Sequence, residues 1–295
     1  MKALIFGAGG QDGTFITTYL QELGWQVFGY GHKPGQLELS VDVSNFEGIE
    51  QIIKNILPDY IFHLAAVSST KHEFIVQNHK AIVSGTLAIL EAVEKHIPNS
   101  KVFLASSGLV FKNEGRPITE SDEFVIDTAY SLSRYQALQS ARYFRRRGIK
   151  VYVGFLFNHE SHLRPERSVA RLIARGVVEV SQKRAKVINI GSMDVVKEWL
   201  WAGDVATAIV HFLNQDHIFE MCIGDGIGLS VRAYAEECCK AVGILSASCL
   251  IQDPEFKAEY PFLVSDPSKL FSIGWVPSKD ITKLAKIMVE AELSR

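Results

Sequence analysis

The sequence predicts a doubly wound α/β fold, a parallel sheet with helices on both faces, joined to a smaller C-terminal lobe that binds substrate. Two observations carry this expectation. Apolar strand-like runs alternate with amphipathic helical stretches through the first half of the chain. The first of those strands also runs directly into a glycine-rich turn that opens a helix.

The elements follow in order. Lys2–Phe6 is strand-like, and residues 12–23 place Phe15, Ile16, Tyr19, Leu20 and Leu23 at helical spacing until Gly24 ends the run. Trp25–Tyr30 opens the second strand. Further strands are expected near 37–41, 60–64, 101–105 and 149–156, with helices near 46–56, 72–95 and 129–147 between them. Past residue 157 the rhythm loosens. Helices are expected near 166–178, 203–214, 231–241 and 280–293, and short strands near 187–190 and 218–223. Residues 1–157 therefore read as the dinucleotide-binding domain, and 158–295 mainly as the substrate lobe, with some later segments returning to the sheet. The Arg145-Arg146-Arg147 run reads as an exposed helix end before Gly148.

Composition narrows the function. The 31 lysines and arginines against 33 aspartates and glutamates give a net charge of −2, so there is no basic surplus for a nucleic-acid backbone. Apolar runs stop short of a membrane span, and the opening MKALIF enters glycines without a cleavable apolar segment. The four cysteines, Cys222, Cys238, Cys239 and Cys249, lack metal-ligand spacing and read as reduced thiols of a cytoplasmic protein. No metal site is expected.

The turn reads Gly7-Ala-Gly9-Gly10-Gln11-Asp12-Gly13. Glycines let the backbone bend tightly and approach a pyrophosphate, whose charge sits at the following helix N-terminus. The second strand ends in His32-Lys33, where an NAD enzyme usually carries an acid. Those two side chains suit a 2′-phosphate, so NADP is favoured, with NAD not excluded. Asp42-Val43 follows the third strand at the adenine position. His63-Leu64-Ala65-Ala66 closes the fourth with small residues beside the cofactor.

These residues resemble the extended short-chain dehydrogenase/reductase family, particularly its GDP-mannose 4,6-dehydratase branch and the related GDP-sugar reductases. The similar stretches are GAGGQDG, PDYIFHLAAVSS, LFNHES, MDVVKEW and DPSKLFSIGWVPS. The resemblance implies hydride transfer at a sugar carbon, assisted by a Ser/Thr, a Tyr and a Lys. Ser107 falls on the catalytic hydroxyl position, and Tyr130-Ser-Leu-Ser-Arg134 on the family's YxxxK. Residues four apart share one helix face, so the cation can hold the nicotinamide ribose and favour proton relay by the phenol. Here the cation is Arg134, which keeps the charge but cannot shuttle a proton. The resemblance also places Gln11, Asp12, Ser68 and Phe157 at the cofactor.

A second departure bears on the reaction. Dehydratases of this branch carry a glutamate two residues after the catalytic hydroxyl, and this chain has Leu109 there. Leucine offers no proton chemistry, so oxidation or reduction without dehydration is expected. On the substrate side the resemblance assigns Asn158 to the sugar or diphosphate. It also implies Arg164, Val169, Arg171, Lys197 and Glu259 as nucleotide-sugar contacts, and Arg164, Arg167 and Arg171 suit a diphosphate or the neighbouring subunit's cofactor. His159 and Glu160 read as loop-ordering or substrate-proximal residues.

The resulting expectation is an NAD(P)-dependent oxidoreductase acting at C4 of a nucleotide-activated hexose, 6-deoxyhexose or heptose, with GDP favoured. Two alternatives stay open: a dehydratase whose base comes from elsewhere in the cleft, and a nucleotide-binding partner subunit with weak turnover. A homodimer or higher homo-oligomer is expected through the helices near 72–95 and 129–147, with Val83, Leu87, Leu90, Leu138 and Ala141 as contacts.

Overall fold

Alternation along the first strand decides the layering. In Lys2–Phe6 (β1), Leu4 and Phe6 enter one apolar cluster while Ala3 and Ile5 enter another on the opposite face. All four are fully buried, so both faces of the strand are covered. The same division recurs in Lys101–Ser107 (β5), where Val102 and Leu104 face one cluster and Phe103 and Ala105 the other.

The computed structural model describes residues 1–31 and 38–295. Its main sheet adds Gln26–Gly31 (β2), Glu38–Ser40 (β3), Tyr60–His63 (β4), Lys150–Leu156 (β6) and Glu220–Ile223 (β7). The order is β3-β2-β1-β4-β5-β6-β7, and every neighbouring pair is parallel. This is the dinucleotide-fold order with one added strand, and its direction reverses between β1 and β4. Gln11–Glu22 (α1) covers one face with Ile16 and Leu20. Phe46–Ile56 (α2) covers the other with Ile49 and Ile53.

The helix expected over 72–95 is segmented. A 3₁₀ turn at His72–Phe74 leads into Ile75–Asn78 (α3), a π-helical stretch at His79–Ser84, and then Gly85–His96 (α4). The close approach sits at Gly85, where a Cβ would lie 3.1 Å from His63 Nε2. Ala129–Arg146 (α5) starts at a capping box formed by Thr128 and Ser131.

The proposed dimer contacts need correction. Val83, Leu90, Leu138 and Ala141 are buried within this single chain, and Leu90, Leu138 and Ala141 belong to the sheet-covering core. They are thus unavailable to a second copy. Leu87 is half-buried against the same core. The arginine run closes α5 before Gly148 as expected: Arg146 and Arg147 are exposed, Arg147 pairing with Glu94, and Arg145 is half-buried against Glu220.

Beyond β6 the chain serves two bodies. Ala202–Leu213 (α7) and β7 return to the sheet, with Val205, Ile209 and Phe212 of α7 packed on its core. Val169–Ser181 (α6), Val231–Ala241 (α8) and Ile281–Leu293 (α10) enclose a separate core around Trp199 and Tyr234, whose rings stack at 4.1 Å. Helix α6 begins at 169 rather than 166 because Pro165–Ser168 forms a turn. A short helix at Ser268–Ser272 (α9) and several two- and three-residue strand pairs complete the lobe. All four cysteines are buried and free. Among the described residues no helix is long and apolar enough to cross a membrane.

Candidate active site

The candidate site lies along the carboxyl ends of β1, β4, β5 and β6. Gly7 leaves β1 at φ +93, a left-handed conformation suited to glycine. A Cβ on Gly7 would stand 2.8 Å from the Ala65 nitrogen, and one on Gly13 only 2.3 Å from the Gly7 oxygen. Both glycines are therefore required by close packing within the protein. Gly10 differs. It caps α1 in extended geometry, is exposed, and a Cβ there would meet only the Gly7 oxygen at 3.3 Å. Its missing side chain leaves room on the solvent side, where the helix N-terminus presents its free amides.

Leu64, Ala65 and Ala66 lie half-buried beside this turn, and Val43 is buried. Asp42 accepts from the Ser44 amide and hydroxyl. Ser68 holds φ +56, a left-handed conformation uncommon for serine, within the segment assigned to the cofactor. His32 and Lys33 lie outside the described residues.

At the end of β5, Ser107 accepts from the Leu109 amide and caps the 3₁₀ turn Gly108–Val110. The neighbouring Ser106 hydroxyl is buried without a partner. Leu109 packs on the same apolar core as Phe124, Tyr135 and Tyr260. Phe157 is buried over Gly108, where a Cβ would stand 2.8 Å from its ring.

Tyr130 and Arg134 occupy the first two turns of α5, one turn apart as the spacing requires. The Arg134 guanidinium lies 5.0 Å from the Tyr130 ring centroid and donates to the Ala105 carbonyl at the end of β5. Arg134 is buried, and its Nε has no partner. Burial, and then the Arg134 charge, push the His63 imidazole down to about 4, so this buried ring is neutral. Its Nδ1 is likewise without a partner.

The loop after β6 is built from charge pairs. His159 faces two acceptors, with Nδ1 2.7 Å from the Phe157 carbonyl and Nε2 2.8 Å from Asp12 Oδ1. Both nitrogens must carry protons, which makes the ring an imidazolium. Burial works against that charge, but Asp12 outweighs it and raises the His159 value. Glu160 is fully buried between Arg164 at 3.1 Å and Lys197 at 3.2 Å. Burial favours its neutral form, yet the two cations hold it below the ordinary carboxylate range.

The expected substrate contacts separate into two groups. Asn158 is half-buried and accepts from the Tyr260 hydroxyl at 3.4 Å, while Arg164 is partly exposed on the same loop. Lys197 and Arg171, by contrast, already have buried partners. Lys197 lies on Glu160 and over the Trp199 ring, and Arg171 bonds Glu292 and the Arg164 carbonyl. Both charges are engaged within the lobe in this structure. Val169 packs on the lobe core. Glu259 and Arg167 are exposed. Tyr260, which the sequence reading passed over for its neighbour, is the residue of that segment that reaches Asn158. A single aromatic beside Pro261 gives no periodic signal that would have singled it out.

Two further carboxylates were also missed. Glu198, fully buried, accepts from the Ser265 amide and hydroxyl and the Asp225 amide. Burial and the nearby Asp225 charge push it up to about 7. Asp204 accepts from Ser278 and Lys279 and ties α7 to the chain entering α10. Among the described residues no group of three or more His, Cys, Asp or Glu could hold a metal ion.

Strand order, glycine cradle and the Tyr130–Arg134 pair define a dinucleotide-fold protein of the extended short-chain dehydrogenase/reductase class. Comparison with known sequences resolves the family. The family profile described as GDP-mannose 4,6 dehydratase matches residues 4–288, and the chain belongs to that enzyme family. GDP-mannose 4,6-dehydratase of Vibrio cholerae is 27% identical over 99% of this chain and 94% of its own length. Among solved structures, RMD from Pseudomonas aeruginosa complexed with NADPH superposes with a TM-score of 0.86 at 20% identity. That match covers 100% of this chain and 99% of the other. The UDP-glucose 4-epimerase of Thermus thermophilus, in complex with NAD, gives 0.86 at 22% identity, covering 99% of each. At these identities the structural matches establish the fold.

Proposed function

We propose that this protein is an NAD(P)-dependent oxidoreductase acting at C4 of a nucleotide-activated sugar, with a GDP-sugar favoured. The observation that carries the reading is Leu109. It packs against the apolar core beside Ser107, where the resemblance to the branch's dehydratases calls for a glutamate. That leaves a hydroxyl and a phenol at the reacting carbon with no carboxylate base at the dehydration position.

The cradle fits a dinucleotide. Gly10 leaves the α1 N-terminus open, and Ser106 and Arg134 keep buried polar atoms unpaired at the adjoining strand end. When bound, the nicotinamide supplies or accepts the hydride. Gly7, Gly10 and Gly13 admit the diphosphate, and Ala65 and Ala66 allow close approach beside it. Ser107 retains a hydroxyl proton to donate to the sugar C4 oxygen. Tyr130 is the general acid that protonates this oxygen in the reducing direction, or the base that deprotonates it in oxidation. Arg134 holds Tyr130 in place by stacking on its ring. NADP is the favoured cofactor, on the basic His32-Lys33 pair after β2.

The decisive experiment incubates the protein with NADP(H) or NAD(H) and a panel of GDP-, UDP-, CDP- and dTDP-sugars while following reduced-cofactor absorbance. Stoichiometric cofactor turnover with one nucleotide sugar is expected. Conversion of GDP-mannose to a 4-keto-6-deoxy sugar without net cofactor change would instead establish the dehydratase. Tight dinucleotide binding with no turnover on any sugar would point to a binding subunit.

A further inference from the structure

The first turn of α1 carries a carboxylate where a dinucleotide fold receives a diphosphate. Asp12 is the second residue of the helix, directly after the Gly10 cap and Gln11. A negative side chain suits a helix N-terminus on its own. Beside a bound diphosphate it would be a like charge and would weaken binding. Neutralising Asp12 by protonation is disfavoured. Burial would raise its value, but His159, Gln11 and Arg164 together hold it below the ordinary 3.8.

The compensating charge comes from three strands away in the sheet. His159, on the loop after β6, places its Nε2 2.8 Å from Asp12 Oδ1, while the Phe157 carbonyl fixes the other ring nitrogen. Gln11 braces the same contact. Its Nε2 donates to Asp12 Oδ1 at 3.3 Å and to the His159 carbonyl at 3.4 Å, and its Oε1 accepts from the Ser161 hydroxyl at 2.7 Å. Two residues of the phosphate turn are thus cross-linked to two of the loop that carries Asn158.

We propose that His159 is a positioning residue whose charge covers Asp12, making the phosphate turn compatible with a dinucleotide diphosphate and holding the substrate loop against it. The inference rests on the dinucleotide reading of the glycine cradle. A histidine suits this position because asparagine or glutamine could bond Asp12, but neither would cancel its charge.

The test measures NADP⁺ affinity by calorimetry in the wild type, His159→Gln, Asp12→Asn and the double variant. His159→Gln should weaken binding by about tenfold or more, the effect of leaving one negative charge uncovered beside the diphosphate's own. Asp12→Asn should bind at least as tightly as wild type, and the double variant should recover most of the lost affinity. A merely structural pair would leave the double variant as weak as His159→Gln or weaker, and that result overturns the proposal. So does unchanged affinity in His159→Gln. Should His159→Gln fail to fold, Asp12→Asn decides alone, since weaker binding there removes the charge argument. A wild-type protein that binds neither NADP⁺ nor NAD⁺ would defeat the dinucleotide reading itself, and the proposal with it.

Discussion

The guanidinium of Arg134 lies over the ring of Tyr130, 5.0 Å from its centroid, and reaches past it to the carbonyl of Ala105. The contact joins helix α5 to the end of strand β5, the strand that carries Ser107. A lysine ammonium offers a compact charge on a flexible stem, whereas the arginine is planar and can stack and donate together. The substitution in the YxxxK pattern therefore has a structural counterpart: the cation braces the phenol from its face.

Tyr130→Phe keeps that stack and removes only the hydroxyl. Loss of general acid–base catalysis should lower kcat by about 10²–10⁴-fold while dinucleotide affinity stays within about twofold. Turnover on the true substrate and a binding titration check both halves. Unchanged turnover would remove Tyr130 from the reaction.

Arg134→Ala should reduce stability and activity together. It strips the buried Ala105 carbonyl of its guanidinium donor, and an unpaired buried polar group costs about 1–3 kcal/mol. Arg134→Lys restores the family pair. It should retain most activity if a cation near the ribose is what matters, and lose it if the planar stack sets the position of the phenol. Comparing kcat with denaturant midpoints for the two variants separates these contributions.

The glycines of the turn should respond differently. Gly13→Ala places a Cβ 2.3 Å from a backbone oxygen and 2.6 Å from the Ala8 Cα, neither of which can yield cheaply. It should fail to fold or lose several kcal/mol, on the order expected for overpacking a rigid site (about 1–3 kcal/mol or more). The Cβ of Gly10→Val meets only the Gly7 oxygen, at 3.3 Å, so the variant should fold, yet lose dinucleotide binding because its side chain projects where the diphosphate is expected. Circular dichroism with a cofactor titration distinguishes the two. Normal affinity in a folded Gly10→Val protein would exclude this site.

Arg171 marks a limit of the sequence reading. Its position after Arg164 resembles a diphosphate contact, but the side chain is buried against Glu292 at 2.8 Å. Glu292 lies near the C-terminus, on α10, and nothing local to residue 171 announces it. Arg171→Ala would leave Glu292 with Arg295 alone, at 3.1 Å, and should cost about 1–3 kcal/mol. Denaturant unfolding checks it. A small stability change joined to a large rise in KM would return Arg171 to the substrate.

What the sequence disclosed follows the range of the interactions involved. The continuous apolar run of β1 and the period-3.6 burial in α1 and α2 are local, so the strands and helices of the first half were legible. The Gly7–Gly13 turn and the Tyr130/Arg134 spacing were legible for the same reason. Val83, Leu90, Leu138 and Ala141 were apolar at the right spacing, but spacing does not say whether a helix face meets the sheet or a second chain. Tyr260 and Glu198 act through partners far away in sequence, Asn158 and Ser265 respectively. The close fit of Gly85 against Val43 and His63, where the 72–95 stretch passes from π- to α-helix, is also a tertiary fact.

The Asp12–His159 pair should give stability a bounded pH window. Asp12 has a folded value below 3.8, so its contribution is present above that value and lost as pH falls through the depressed one. His159 has a folded value above 6.5, so its contribution is full below 6.5 and lost as pH rises through the raised one. The pair therefore stabilises the fold most between about pH 4 and 6.5. Thermal midpoints measured from pH 5 to 9 should fall more steeply for the wild type than for His159→Gln, whose uncharged side chain cannot lose a proton on the alkaline side. Parallel curves for the two proteins would show that His159 does not carry the proton its two acceptors demand.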